Sequence, residues 1–456
     1  MNTANELEKE NYQSASLTMM GRPFYLLWCG ETVALIGASL MEFALGVWVY
    51  QKTGSALDFS GVLVAAILPA VFIMPIAGGI VDRFDRRYVM VVADLTAVAL
   101  LLMLAWFLWH NSLEVEHLYA FNIAVSLIAA FRTPAYTASV SKLLPKEKYT
   151  QASGLMGVSS NVLSMFAPLA AGSLMAAIGL QGIVFIDITA FAMGSILIWN
   201  AFFYAGRASD NINKIRGDDA KTEAVSGSVA LALVFFRNEP LMLWLLLYTV
   251  LQQGFVTLAS TMIMPLVLSH YSENDLGVIL TVGGVGGLIG SILLTVMGEL
   301  KRLMLWALAA DVVLAFCILL VGVNTSFNLY CVSVFTALLV GGFAQGCNHS
   351  LWMRKIPNKY QGRIFSIINV AALLTISIVV MAGGFSADHI FEPALSEGGL
   401  LEQTLGPWIG TGKGRGIGLM FVICGFIGVL ISLVGFLTRL RRLDLIVPDA
   451  PGSNES

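Results

Sequence analysis

Twelve long apolar stretches follow one another along this chain of 456 residues, and polar segments separate them. A stretch of about 20 apolar residues is long enough to cross a hydrocarbon core of ~30 Å as an α-helix. Lipid offers no hydrogen-bond partner to free backbone groups, so stretches of this length fold as helices, whereas the strands of membrane β-barrels are short and alternate in polarity. The predicted spans cover residues 24–49, 58–80, 88–110, 118–140, 155–178, 182–204, 240–268, 276–297, 303–322, 328–352, 364–385 and 417–437.

The low content of charged residues excludes a soluble protein. Asp, Glu, Lys and Arg make up 12% of the chain, against roughly 25% in soluble domains. Residues 410–416 only superficially resemble a phosphate-binding loop. When Gly412 and Lys413 are aligned with the Gly-Lys pair of that motif, Pro407 stands where its first Gly belongs and Gly414 where its final Ser or Thr belongs. No nucleophile elbow or metal-ligand spacing was found either. The sequence therefore predicts a protein that uses no metal, cofactor, nucleotide or nucleic acid.

The longest polar stretch inside the chain lies between the sixth and seventh spans and divides the chain into two halves. We predict an all-α membrane protein with twelve transmembrane helices in two pseudo-symmetric six-helix bundles, a common plan among transporters. A shift of 217 residues places Asp94 on Asp311, which indicates a weak internal repeat. The predicted organisation is an N-terminal tail (1–23), a first bundle (24–204), a linker with an amphipathic segment (205–239), a second bundle (240–437) and a C-terminal tail (438–456).

The distribution of Lys and Arg predicts the orientation of the chain in the membrane. If the N-terminus is cytoplasmic, 22 of the 26 basic residues fall in the tails or in cytoplasmic connections. The exceptions are Lys52, Lys413 and Arg415 on the outer side and Arg132 within a span. Because cytoplasmic loops carry an excess of Lys and Arg, we expect both termini, the linker and both tails to be cytoplasmic.

The segment GGIVDRFDRR, residues 78–87, follows the second span and matches the loop signature of the major facilitator superfamily. The matching residues are Gly78, Asp82, Arg83, Arg86 and Arg87. The resemblance implies a conformational latch, in which charged side chains at a cytoplasmic helix end hold one state of the transporter. Asp94, in the third span, is expected to anchor the basic loops. The alternative is that these are ordinary charges that set the topology.

Further stretches resemble the macrolide-efflux and siderophore-exporter branch of that superfamily: residues 131–155, 184–198, 276–294 and 356–366. The similarity extends from about residue 24 to 437. It implies a proton-coupled antiporter that exports small amphipathic compounds, multidrug substrates among them, by alternating access. It also implies a monomer in the bacterial cytoplasmic (inner) membrane, whose partners are the substrate, protons and the lipid bilayer.

Charged residues inside the predicted spans are costly and usually functional. Glu31 and Glu42 lie 11 residues apart in the first span and therefore share one helix face. Glu42 is the preferred proton carrier, since a carboxyl group in a low-dielectric cavity can exchange a proton near neutral pH. Arg132 is expected to act as its counter-charge, and Glu31 could serve either role. The alternative is a static Glu–Arg pair that holds helices together.

Polar and aromatic residues in spans 4, 7 and 10 are candidates for the substrate cavity. The resemblance implies that spans 1, 4, 7 and 10 line a central cavity. The competing explanation is that these polar and aromatic residues only pack between helices. Glycine pairs such as Gly286 and Gly290 are expected to allow close helix approach. The candidates are Phe131, Tyr136, Gln252, Gln253, Phe255, Gln345, Asn348 and His349.

Three other functions stay open at this point. The first is nutrient uptake by proton symport, which the residues do not distinguish from export. The second is a membrane-embedded enzyme with His349 as the catalyst, which the lack of acidic residues near it in sequence disfavours. The third is a receptor or scaffold, which the charges within the spans disfavour. The sequence predicts a transporter rather than an enzyme.

Overall fold

The computed structural model of the protein describes residues 20–81, 84–144, 148–209, 237, 239–297, 300, 302–323, 325–356, 358–396 and 398–447. Every regular element in these ranges is helical, and none of the described residues forms a strand. Most of the N-terminal tail, most of the linker with its predicted amphipathic segment, and residues 448–456 lie outside the described residues. Among the described residues, eleven continuous helices are long and apolar enough to cross a membrane.

One of the eleven is long enough to cross twice. It covers Tyr149–Ser209, 61 residues, and its helix is broken at Gly179, which has φ 66° and ψ −177°. We therefore treat it as α5 (149–178) and α6 (180–209), which confirms the predicted number of twelve spans. The other helices are α1 (Arg22–Thr53), α2 (Ala56–Val81), α3 (Arg86–Trp109), α4 (Val115–Leu143), α7 (Pro240–Leu268), α8 (Glu273–Met297), α9 (Leu303–Val323), α10 (Phe327–Lys355), α11 (Asn358–Ser386) and α12 (Arg415–Leu437).

Proline and glycine mark several helix ends in the expected way. Pro23 is the second residue of α1, and Pro240 is the first residue of α7. The N–H that proline lacks would have no partner within the helix at these positions, so its absence costs nothing. Gly54 ends α1 in the left-handed conformation, and its N–H donates to the carbonyl of Tyr50 at 2.8 Å. The chain can thus turn sharply from α1 into α2.

The connection between α11 and α12 is more ordered than the sequence indicated. Residues 386–416 have no clear hydrophobic period, yet they form a π-helical turn (Ala387–Phe391) and two short helices, Glu392–Leu395 and Glu402–Ile409. Leu395 and Ile409 pack on Leu419 of α12 in a small apolar cluster. Tertiary packing therefore gives this segment a structure that its local pattern does not specify.

The helices cross the bilayer alternately, so the bundle has two ends. We call the end where α1 begins and α12 stops the terminal end, and the opposite end the distal end. The two halves, α1–α6 and α7–α12, approach closely towards the distal end. A Cβ added to Gly46 of α1 would lie 3.1 Å from the sulfur of Met264 in α7, and one added to Gly277 of α8 would lie 2.7 Å from the carbonyl of Pro168 in α5.

Candidate functional site

A buried charge cluster joins four helices of the first half. The guanidinium of Arg132 in α4 donates through Nη1 to Glu31 Oε1 of α1 at 2.8 Å and through Nε to Asp94 Oδ1 of α3 at 2.7 Å. Ser195 of α6 donates to the other oxygen of Asp94 at 3.1 Å. The side chains of Arg132, Glu31 and Asp94 are 13%, 14% and 3% exposed. Two carboxylates thus share one cation inside the membrane region.

The expected pairing of Arg132 with Glu42 is not present in this structure, and depth in the membrane explains why. At about 1.5 Å per residue, Glu31, Asp94 and Arg132 lie about 12 to 17 Å from the terminal ends of their helices. Glu42 lies about 30 Å from that end of α1. Sharing a helix face with Glu31 therefore does not bring Glu42 within reach of Arg132.

Asp94 was expected to anchor the basic loops. In this structure its two oxygens accept hydrogen bonds from Arg132 and Ser195 inside the bundle. Of the predicted latch residues, Asp82 and Arg83 lie outside the described residues. Gly78 lies near the end of α2, and Arg86 and Arg87 begin α3. The latch therefore stays a prediction from the sequence.

Glu42 lies in a cavity of about 390 Å³ between the two halves. Its side chain is exposed to that cavity and has no hydrogen-bond or ion-pair partner among the described residues. The wall is largely apolar and includes hydroxyl groups. The lining residues are Leu35, Ser39, Glu42, Phe43, Phe59, Leu63, Ser160, Leu163, Ala167, Pro168, Ser260, Thr261, Ile263, Met264 and Leu280.

This wall comes from α1, α2, α5, α7 and α8, and none of the eight predicted substrate residues belongs to it. Tyr136 and Gln252 are buried at 6% and 7% exposure, and Gln253 donates to the hydroxyl of Thr257 at 3.3 Å. Phe131 and Phe255 are partly buried against apolar clusters. Gln345 and His349 are exposed, and Asn348 is half-buried, on α10. The substrate role of these eight residues stays a prediction.

Sequence reasoning missed Ser39, Ser160, Ser260 and Thr261, which supply the hydroxyl groups of the cavity wall. A usable signal was present for one of them. Ser39 lies three residues before Glu42 and therefore on the same face of α1. Short hydroxyl side chains are common in membrane helices, where they bond their own backbone, so such residues do not stand out from the sequence alone.

The second half has a counterpart of the charge cluster in which no described cation takes part. Residues Tyr248 and Asp311 stand 217 positions after Glu31 and Asp94, and the Tyr248 hydroxyl donates to Asp311 Oδ2 at 2.5 Å. Asp311 is 2% exposed, and no ion pair to it is found in the described part of the chain. The weak sequence repeat thus corresponds to buried polar contacts at equivalent positions in the two halves.

The halves are joined by hydrogen bonds at the distal end. Gln51 of α1 donates to Glu273 of α8 at 3.2 Å, and Ser173 of α5 donates to Asn274 of α8 at 3.1 Å. Asp388, just after α11, accepts three hydrogen bonds from the start of α2. Within the described ranges, no side-chain hydrogen bond joins the halves nearer the terminal end.

Towards the terminal end the first half has free space beside α5. A Cβ added to Gly154 or Gly157 would meet nothing within 4 Å. Ser160, one turn further along the same helix, is exposed to the cavity that holds Glu42. In the described part of the chain, the side-chain hydrogen bonds between the halves thus lie at the distal end, and the cavity that holds Glu42 lies between the halves.

Comparisons with known proteins agree with this architecture. Macrolide efflux protein A of Streptococcus pyogenes is 25% identical over 429 residues, which cover 92% of this chain and 97% of that protein. The multidrug efflux pump Tap of Mycolicibacterium fortuitum is 23% identical over 433 residues, 93% of this chain and 97% of that one. Both alignments span nearly the full length of each protein.

Solved structures share the fold at lower sequence identity. A bacterial homologue of the human lysosomal transporter Spinster, in an inward-facing and unoccupied conformation, matches with a TM-score of 0.66 and 14% identity over 94% of this chain and 98% of that one. The nucleoside transporter NupG matches with a TM-score of 0.61 and 11% identity over 91% of this chain and 98% of that one. Residues 27–380 match the Major Facilitator Superfamily. The chain therefore belongs to the Major Facilitator Superfamily of membrane transporters.

Proposed function

We propose that this transporter exports small amphipathic compounds from the cytoplasm in exchange for protons. The observation that supports this most directly is Glu42, a carboxyl group without a described partner in the cavity between the halves. An apolar wall with hydroxyl groups suits an amphipathic molecule. A lone carboxylate suits either a proton or a positively charged part of the substrate. Competition for one carboxyl group couples the two fluxes in opposite directions.

In this proposal the terminal end faces the cytoplasm, as the distribution of Lys and Arg predicts. The hydrogen bonds between the halves in the described part of the chain lie at the distal end, which supports an inward-open state. Substrate enters from the cytoplasm and displaces the proton from Glu42. After the halves rock, a proton from outside displaces the substrate. One copy suffices, because a single chain forms the whole cavity.

The charge cluster has a supporting part in this scheme. Arg132 stays between Glu31 and Asp94 and holds α1 against α3 and α4. Glu31 is the second candidate for proton coupling in this proposal, because two acidic groups share one cation there. Protonation of Glu31 would weaken one of the two contacts that fix α1. Movement of α1 would in turn shift Glu42, which lies on the same helix.

Transport into reconstituted vesicles with an imposed pH gradient tests the assignment. The probe is a fluorescent amphipathic cation such as ethidium, and the variants are Glu42→Gln and Glu31→Gln. We expect Glu42→Gln to abolish gradient-driven transport, because the amide cannot exchange a proton. Glu116→Gln, in the first turn of α4, is the matched control and should transport normally. If Glu42→Gln and Glu31→Gln both keep full gradient-dependent transport, the coupling assignment is wrong.

Accumulation of the same dye in cells distinguishes export from uptake. An exporter lowers the dye content of cells that produce it, whereas a proton symporter raises it. The relatives named as macrolide and multidrug efflux proteins favour export. A higher dye content in producing cells than in cells that carry Glu42→Gln would overturn the proposed direction.

A further inference from the structure

Asp388 belongs to the second half of the molecule but caps a helix of the first half. It lies in the π-helical turn that follows α11. Its Oδ2 accepts from the Ser55 hydroxyl at 2.7 Å and from the Leu57 N–H at 2.9 Å, and its Oδ1 accepts from the Ala56 N–H at 3.0 Å. All three donors lie at the start of α2. This side chain makes three of the five side-chain hydrogen bonds found between the halves in the described part of the chain.

The first N–H groups of a helix have no partner within the helix and carry a partial positive charge. Usually a side chain just before the helix accepts their hydrogen bonds. Ser55 stands at that position, and its hydroxyl accepts from the Asp58 N–H at 2.9 Å. The N–H groups of Ala56 and Leu57 depend instead on Asp388. An anionic carboxylate at this helix end is held by charge as well as by hydrogen bonds.

The contact exists only while the distal ends of α2 and α11 touch. A Cβ added to Gly384, four residues before Asp388, would lie 2.7 Å from the Ala56 carbonyl and 2.8 Å from the Cβ of Ser60. The two helix backbones therefore meet without room for a side chain. Any motion that separates the halves at this end must break all three hydrogen bonds of Asp388 and return the start of α2 to water.

We propose that Asp388 is the gating residue that holds the distal side of the transporter closed. This inference rests on the proposed function in one respect, that the halves alternate between two open states. In that cycle, Asp388 stabilises the state with the distal end closed and contributes nothing to the state with that end open. It is a positioning residue, since it is not among the residues that line the cavity of Glu42.

The test measures access to the cavity from the distal side. The five cysteines are first replaced, and Thr261→Cys, in the cavity wall on α7, serves as the reporter. A membrane-impermeant maleimide is applied to the distal side. We expect Asp388→Ala to raise the labelling rate about five- to tenfold, since loss of a helix cap costs about 1 kcal/mol and 1.4 kcal/mol corresponds to a factor of ten. Asp388→Asn should give a smaller rise, because its single carbonyl oxygen still accepts a hydrogen bond.

Asp58→Asn is the matched control, since it removes a carboxylate from the first turn of the same helix. The side chain of Asp58 has no described hydrogen bond to the other half, so this variant should label at the parent rate. Ser55→Ala removes one of the three donors and leaves Asp388 in place. We expect it to label faster than the parent and more slowly than Asp388→Ala. Ser55→Ala keeps the proposal testable if the Asp388 variants fold poorly.

A second readout uses a different contact at the distal end. Cysteines in place of Ser173 and Asn274 should be cross-linked by a short thiol reagent while that end is closed. Asp388→Ala should slow this cross-linking. Labelling and cross-linking at parent rates in Asp388→Ala would overturn the proposal. Neither readout needs a proton gradient or substrate, so failure of the proton-coupling assignment would leave this result intact.

Discussion

Arg132 is the single described side chain that bonds to both buried carboxylates of the charge cluster. Its guanidinium presents a planar fork of donors, which suits two carboxylates that approach from different helices. Removing one partner from a buried ion pair leaves an uncompensated charge, and the typical cost is about 3–5 kcal/mol. The helices α1, α3 and α4 are held together through this one residue.

We predict that Arg132→Gln lowers the free energy of unfolding by about 3 kcal/mol, because Glu31 and Asp94 lose their only described cation. Thermal unfolding of the purified protein in detergent measures the effect. Arg132→Lys should fall between the parent and the Gln variant, since an ammonium group lacks the fork geometry. Arg354→Gln, at the exposed end of α10, is the control and should unfold at the parent temperature. Equal losses for Arg132→Gln and Arg354→Gln would contradict the structural role of the cluster.

The sequence identified Glu31, Glu42 and Arg132 as charges inside the membrane and put Glu42 before Glu31 as the partner of Arg132, whereas in this structure Arg132 contacts Glu31. Helix periodicity shows which residues share a face, and it does not show their depth. Counting residues from the predicted helix ends would have placed Glu31 and Asp94 at the depth of Arg132. Asp388 could not be identified in this way, because its partners lie more than 300 residues away in the chain.

At the scale of helices, close packing of α8 on α10 depends on glycine. A Cβ on Gly290 would collide with the carbonyl oxygen of Leu339, and one on Gly286 with that of Phe335. A Cβ on Gly287 would come no nearer than 3.7 Å to any atom of its surroundings. Small residues at such interfaces let membrane helices approach closely. The sequence predicted close helix approach at Gly286 and Gly290, but it did not identify α10 as the neighbouring helix.

We predict that Gly290→Ala destabilises the protein by about 1–3 kcal/mol, because the backbones of α8 and α10 must separate. Gly287→Ala, three residues away on the same helix, should be neutral or slightly stabilising, since alanine favours a helix more than glycine does. Unfolding midpoints of both variants in the same detergent give the comparison. A larger loss for Gly287→Ala would show that the helix–helix register is different.

The helix bounds themselves follow from the sequence to within a few residues, because a long apolar stretch leaves the backbone no alternative in lipid. The short helices between α11 and α12 were not predicted. They are four and eight residues long, too short for a hydrophobic period to show. Packing of Leu395, Ile409 and Leu419 supplies the stabilisation that local sequence does not.

At the scale of the whole molecule, orientation in the membrane decides what each end of the transporter meets. We predict that the distal end is external. Leu400, 94% exposed, lies on the distal side, and Leu445, 71% exposed, lies on the terminal side. On a cysteine-free background, Leu400→Cys should react with an impermeant maleimide in intact cells. Leu445→Cys should react only after the cells are permeabilised, and the reverse pattern would invert the topology.

The turn at Gly179 has a consequence for the biogenesis of this transporter. With φ of +66° this position suits glycine, and one residue is all that separates α5 from α6. Two antiparallel membrane helices without a connecting loop must be inserted by the cell's machinery as one hairpin. There is also no segment at this turn in which a protease site, an epitope or a fused domain could be accommodated. Engineered insertions on this side of the protein belong near Gly398 and Leu400, which are exposed and lie outside the helices.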